Sequence, residues 1–345
     1  MRHALVLATN VFRPLISVAQ AAEAAGFDRL WTTESTPRDA IVRAVTLGLH
    51  TDRIQVATGI AYAFTRAPLA MAAAVADAHI ATGGRFSVGL GAGTKGMRTR
   101  RYGIEDFDHP GSRLGDYAGL MRAAWAAEDG LDYEGPFYKT TVPGRFRSEE
   151  LDGLPPIEIV GSGVNEVMLR LSAKFFDAVA LHPLVSFTDY LDNVAVPAMR
   201  SAERPDSSDP WVAAWRITSV ADTEDEARWR ARTNLAFYFT TPSYQRVTEG
   251  TVWELTTTRV RDKFRADPTM SFNDLAELIP NEMVDDFCLV GTPKTFSGRV
   301  RELEAELAKR DVAELVFQVA GVGLETKQYL EACHTIVDKA GSEHS

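Results

Sequence analysis

The chain has 345 residues, 45% of them hydrophobic and 24% charged, and carries a formal net charge of -10. Those proportions belong to a folded protein with a large core, and the acidic balance, with a pI near 5.3, leaves no basic footprint for nucleic acid or an anionic membrane. Cys288 and Cys333 stand in neither a zinc nor a redox spacing, which argues against a metal site or disulfide framework and fits a reducing cytosol. No run approaches the about 18 uninterrupted apolar residues of a spanning helix, and the apolar run in MRHALVLATN is too short for a signal peptide. The expectation is a cytoplasmic protein whose partner is a small molecule, with no nucleic acid and no membrane.

In chain order, residues 4–8 read as a first strand. Residues 15–25 set Leu15, Val18, Ala19, Ala22 and Ala25 on one helix face, and Gly26 stops it. Residues 27–33 form a second strand ending at Glu34 and Ser35, residues 39–50 a helix, and 54–58 a short third strand of the apolar kind buried on both faces. Pro68 opens the next helix and Gly83 with Gly84 ends it. Residues 85–90 are the fourth strand, and the GLGAG run that closes it lets backbone approach a ligand. From 94 to 156 the rhythm breaks into a basic loop, an acidic loop, a helix over 112–128 and a hairpin around Gly135-Pro136. It resumes with a strand over 157–160, a helix over 166–175, a sixth strand over 177–181, a seventh over 213–220 and a helix over 223–239. A second irregular stretch, 240–286, contains a helix near 251–264. Thr292 and Pro293 suit the cap and first position of a helix reaching Lys309, and 314–319 completes eight strands. Such alternation predicts an α/β chain folded as a (β/α)8 TIM barrel, residues 1–345 forming one domain with insertions after strands 4 and 7, about 94–156 and 240–286. Residues 203–210 are the only candidate linker.

Strand ends are where a barrel places its chemistry. Glu34 is one candidate, able to position a proton or a ring nitrogen, or simply to form a rim salt bridge; little effect on stability is expected of its loss. His182 is another, as a pocket residue or as a hydrogen-bonded structural histidine. Gly161, Ser162, Gly163, Val164 and Asn165 join a strand to a helix start, where free amides and the helix dipole favour a phosphate. Gly89, Gly91 and Gly93 match neither G-x-G-x-x-G nor a P-loop, and Val160 stands where a G-x-S-x-G elbow needs glycine, so Ser162 is not read as a nucleophile. Lys95, Arg98, Arg100 and Arg101 make a basic cluster, either a grip for an anionic cofactor tail or a solvated loop. Asp106, Asp108 and His109 read as a solvated acidic loop; no metal is expected.

Taken together, AAEAAGFDRLW (21–31), ATGIAYAFTRAP (57–68), TGGRFSVGLGAG (82–93), YEGPFY (133–138) and LVGTP (289–293) resemble the bacterial luciferase-like superfamily of flavin- and deazaflavin-dependent oxidoreductases. Within it, Gly59-Ile60 with Thr65-Arg66-x-Pro68, Met168-Leu169-x-Leu171 and AFYFTTPSYQ (236–245) resemble the branch that uses the deazaflavin coenzyme F420. The resemblance implies a cofactor at the strand ends, its phosphate near Gly161 to Asn165. It also implies a bulge at Thr58 to Ala61, with a cis peptide between Gly59 and Ile60, that meets the cofactor ring, with Thr58, Gly59, Ile60, Gly91 and Ala92 as cofactor-binding residues. Glu34-Ser35 departs from the Asp-His that several deazaflavin enzymes carry there, which removes a histidine base at that position. Three functions follow: hydride transfer between F420 and a small organic substrate, an FMN-dependent monooxygenase fed by a separate reductase, or a non-catalytic flavin-binding protein. A homodimer is implied by the same resemblance.

Overall fold

The computed structural model describes residues 1–204 and 208–341; the candidate linker falls partly on residues 205–207, outside the described ones. Eight parallel strands, Arg2–Leu7, Arg29–Thr32, Gln55–Thr58, Phe86–Gly91, Ile159–Gly163, Ala178–Leu181, Trp211–Val220 and Val312–Val319, close into a (β/α)8 barrel with helices around it. All eight were predicted from apolar runs. Their continuous burial is why those runs do not alternate: every residue of Arg29–Thr32, Phe86–Gly91 and Ala178–Leu181 is buried. By its contacts the chain divides into two compact units.

One unit comprises Met1–Asp28, Leu181–Pro197 and Val212–Ser345. Its first strand runs parallel to the eighth from Arg2↔Glu314 to Val6↔Gln318, and the seventh pairs with the eighth with a register shift between Val212 and Ala213. An unpredicted short strand, Cys288–Gly291, pairs with the seventh from Ile217↔Cys288 to Val220↔Gly291. The following helix therefore starts at Phe296 rather than Pro293, with Thr295 and not Thr292 at its cap. Thr292 instead closes a turn: its carbonyl accepts from the amides of Thr295 and Phe296, both at 3.0 Å, and its own amide donates to Thr295 Oγ1 at 3.0 Å.

The other unit comprises Arg29–Ala180 and Ala198–Trp211. Residues beyond the fourth strand form a helix, Pro110–Ala126, and an antiparallel hairpin, Leu131–Glu134 with Lys139–Val142, about the predicted Gly135-Pro136 turn. A buried carboxylate ties the two together. Asp116 accepts from the amides of Phe137 at 2.7 Å and Tyr138 at 2.9 Å and from the Tyr133 hydroxyl at 2.7 Å. Gly135 is required there because a Cβ on it would sit 1.9 Å from Asp116 Oδ1.

At the start of the second strand, Arg29 donates to Glu158 at 2.9 Å, while Trp211 Nε1 donates to the other carboxylate oxygen at 2.6 Å. The guanidinium lies 4.8 Å from the Trp211 ring centroid. Burial pushes the Glu158 carboxyl up, but Arg29, Trp211 and Ser87 outweigh it and hold the group below its ordinary 4.5. A carboxyl lowered on folding stabilises the protein above its unfolded pKa and loses that contribution as pH falls through its folded value. Arg29→Met should therefore cost about 3 kcal/mol by leaving Glu158 buried and unpaired. In urea titrations at several pH values, Glu158→Gln should flatten the stability loss below pH 4.5; an unchanged acid limb would reject the assignment.

Candidate active site

The third and fourth strands pair in register at Val56↔Phe86 and Ala57↔Ser87, and the chain resumes pairing at Ala61↔Leu90 and Tyr62↔Gly91. Four steps from 57 to 61 thus face three from 87 to 90, which is a one-residue bulge over Thr58, Gly59 and Ile60. The Thr58 hydroxyl fills the interrupted ladder, donating to Gly89 O at 2.8 Å and accepting from Gly89 N at 2.9 Å. Gly59 N donates to Thr32 O at 2.7 Å. The peptide between Gly59 and Ile60 is cis, as is Thr36-Pro37.

Glu34 holds the far side of this bulge. Its backbone amide donates to Ile60 O at 3.3 Å, and its carboxylate accepts from Tyr62 N at 3.2 Å and from Arg66 Nη1 at 2.9 and 3.1 Å. Arg66 is shared with Asp39 through Nη2 at 2.6 Å, and Tyr117 Oη donates to its carbonyl at 3.1 Å. Glu34 is only 8% exposed, so burial pushes its carboxyl up against the opposing pull of Arg66 and the Tyr62 amide. The rim salt bridge is thus a largely buried one, and without the Glu34 charge Arg66 would keep Asp39 as its carboxylate partner. Tyr62 is likewise desolvated, its phenol pushed up to about 12.

Two glycines of the GLGAG run have a packing reason. A Cβ on Gly89 would fall 1.9 Å from the Thr58 carbonyl oxygen, and one on Gly91 1.7 Å from Ile60 Cδ1. They are glycine because the bulge presses on them, whether or not a ligand does so too. Gly91 also faces the loop of Gly161 to Asn165: its added Cβ would be 3.5 Å from Ser162 Oγ. Ala92 is buried just beyond. The structure thus gathers Thr58, Gly59, Ile60, Gly91 and Ser162 into one patch.

From Ser162 the chain enters the ten-residue helix Glu166–Phe175, whose start is capped by Asn165 Oδ1 accepting from Met168 N at 3.0 Å. Gly161 and Gly163 let strand and helix touch, since a Cβ would lie 2.4 Å from the Phe176 ring and 2.8 Å from Leu169 N. The first amides of the helix have no partner within it, and with the Ser162 hydroxyl they form a donor set that fits a phosphate. Val164 lies between them, partly buried. The basic cluster divides: Lys95 pairs with Asp106, and buried Arg98 turns back to Gly93 O at 2.8 Å and stacks 4.8 Å from Phe107. Only Arg100 and Arg101 have no ion pair among the described residues. Among those residues, too, no group of three or more His, Cys, Asp or Glu is placed to hold a metal ion.

In the unit that contains it, His182 follows the sixth strand. Its Nδ1 accepts from Leu184 N at 3.3 Å, its ring stacks on Tyr244 at 4.6 Å, and Tyr238 meets it edge-on at 5.0 Å. These surroundings desolvate the ring and push its pKa down to about 3, so it is neutral at physiological pH. Sequence reading missed Arg66 as the partner of Glu34, and Tyr238 and Tyr244 as partners of His182; only their motif positions signalled them.

A barrel with a clamped bulge and a capped helix start at its strand ends has the layout of a barrel enzyme. Residues 2–310 match the luciferase-like monooxygenase family, and the chain belongs to it, as an enzyme of the oxidoreductase class. It is 27% identical over 290 residues, 82% of this chain and 83% of the relative, to a 5,10-methylenetetrahydromethanopterin reductase of Archaeoglobus fulgidus. It is 26% identical over 294 residues, 79% and 82% of the two chains, to a putative coenzyme F420-dependent oxidoreductase of Mycobacterium tuberculosis. The solved coenzyme F420-dependent tetrahydromethanopterin reductase of Methanopyrus kandleri superposes with a TM-score of 0.78 at 21% identity, covering 100% of this chain and 99% of that one.

The bulge geometry ranks two substitutions. Gly89→Ala drives a methyl into a backbone oxygen that cannot move aside, whereas Gly91→Ala meets the swinging end of Ile60. Gly89→Ala should cost about 3 kcal/mol or prevent folding, and Gly91→Ala about 1 kcal/mol. Equal midpoints in thermal unfolding would contradict the bulge as described.

Proposed function

We propose that the chain is a coenzyme F420-dependent oxidoreductase that passes hydride between the deazaflavin and a small organic substrate. The observation that carries this reading is Gly91: a Cβ added there would lie 1.7 Å from Ile60 Cδ1 of the bulge and 3.5 Å from Ser162 Oγ, so bulge and loop flank the same stretch of backbone. The relative named for F420 favours the deazaflavin over FMN. Bound there, the cofactor supplies the redox chemistry. The chain's own residues bind and orient: Ser162 and the amides at the helix start hold the phosphate, while Thr58, Gly59 and Ile60 present backbone to one ring face, with Ala92 beside them. Glu34 acts as a positioning residue, its oxygens committed to Arg66 and Tyr62 N. The family's own description favours a second reading, an FMN-dependent monooxygenase.

Titrating the purified cofactor-free protein with F420 and FMN separates the two. F420 should bind at least about tenfold tighter, a margin of about 1.4 kcal/mol; tight FMN binding without F420 binding would support the monooxygenase. Glu34→Gln should lower stability by about 3 kcal/mol and turnover by about tenfold, below the roughly 10²–10⁴ that a proton-transfer group contributes. The pH profile should keep its shape, since the effect is on positioning. Loss of one pH limb in this variant would make Glu34 a proton-transfer group instead.

A further inference from the structure

His182 belongs to a second built cluster. It lies just past the sixth strand, Tyr238 in the last turn of helix Glu224–Phe239, Tyr244 in the short helix Pro242–Val247, and Gln318 near the end of the eighth strand. Tyr238 and Tyr244 pack edge to face at 5.7 Å, and each touches the imidazole. Gln318 Nε2 donates to Tyr238 Oη at 2.5 Å, which fixes that ring. Because Leu184 N donates to Nδ1, Nδ1 is an acceptor and the single proton of the neutral ring resides on Nε2. Among the described residues, that Nε2–H has no hydrogen-bond partner.

An unpaired donor fixed in one tautomer and walled by tyrosine rings is built to receive an acceptor. The four side chains that meet here carry no charge, and the one cation of the short helix, Arg246, is exposed. A carboxylate would give up its hydration for a single neutral donor, whereas a ketone or amide carbonyl loses far less water and gains the same hydrogen bond. We propose that His182, Tyr238 and Tyr244 form a recognition corner for an uncharged carbonyl group on a planar substrate, with His182 Nε2–H donating to the carbonyl oxygen. The inference rests on the oxidoreductase reading only in calling that ligand the substrate.

The test uses the full chain, cofactor-free and labelled with 15N-histidine, with acetophenone and benzoate as the probes. At neutral pH His182 should show the Nε2–H tautomer, and acetophenone should shift its Nε2 resonance while benzoate does not. His182→Gln keeps an N–H donor and should hold acetophenone to within about threefold, whereas His182→Phe should weaken it about five- to tenfold. An Nδ1–H tautomer, benzoate bound as well as acetophenone, or an unmoved Nε2 with acetophenone at its solubility limit would each overturn the proposal. If His182→Phe does not fold, the comparison of the two probes on the unaltered chain decides. A positive acetophenone shift beside failed F420 and FMN titrations would remove the cofactor reading and leave this corner standing.

Discussion

Much of one unit depends on where the carboxylate of Glu34 is held. It sits immediately after the second strand, yet its partners, Tyr62 N and Arg66, lie beyond the third, so one buried group fixes the exit path of a different strand. A buried carboxylate without partners would be too costly to keep ionised; here two guanidinium contacts and an amide compensate it, and the backbone between Thr58 and Arg66 is positioned as a result. Asp39 extends the same constraint by sharing Arg66 while its other oxygen caps the next helix at Val42 N. Arg66 cannot rotate away without releasing both.

Once the bulge is fixed, its neighbours have little freedom. Thr58 must be a hydroxyl residue to stand in for lost ladder bonds, Gly89 must lack a Cβ, and Ile60 fills the space above Gly91. The same economy operates at Gly161 and Gly163, where helix and strand approach too closely for side chains. In both places a glycine run that resembles a ligand-binding signature is first a packing requirement.

The fold was largely legible because parallel strands buried on both faces leave uninterrupted apolar runs, and helices with Pro68 or Asn165 at their starts announce themselves. The short strand Cys288–Gly291 was not, since four apolar residues before Thr292-Pro293 read equally well as the approach to a helix; only pairing with the seventh strand decides. The site was legible by position and not by role. A strand-end glutamate marks itself in sequence, but its partner stands 32 residues away and no local pattern connects them. The basic cluster has the same limit: Lys95 and Arg98 look free in sequence until the fold brings Asp106 and the Gly93 carbonyl to them.

The candidate polar groups share a property that bears on chemistry. Burial drives Glu34 up while Arg66 opposes it, leaves Tyr62 protonated to about pH 12, and holds His182 neutral down to about pH 3. Tyr62 and His182 therefore do not change charge near neutrality, and both Glu34 oxygens already accept hydrogen bonds from Arg66 or Tyr62 N. Catalytic acids and bases are usually tuned toward the working pH; Tyr62 and His182 are tuned away from it. Such groups are suited to hold molecules in place by fixed hydrogen bonds, which is what the protein contributes when a bound cofactor supplies the electrons.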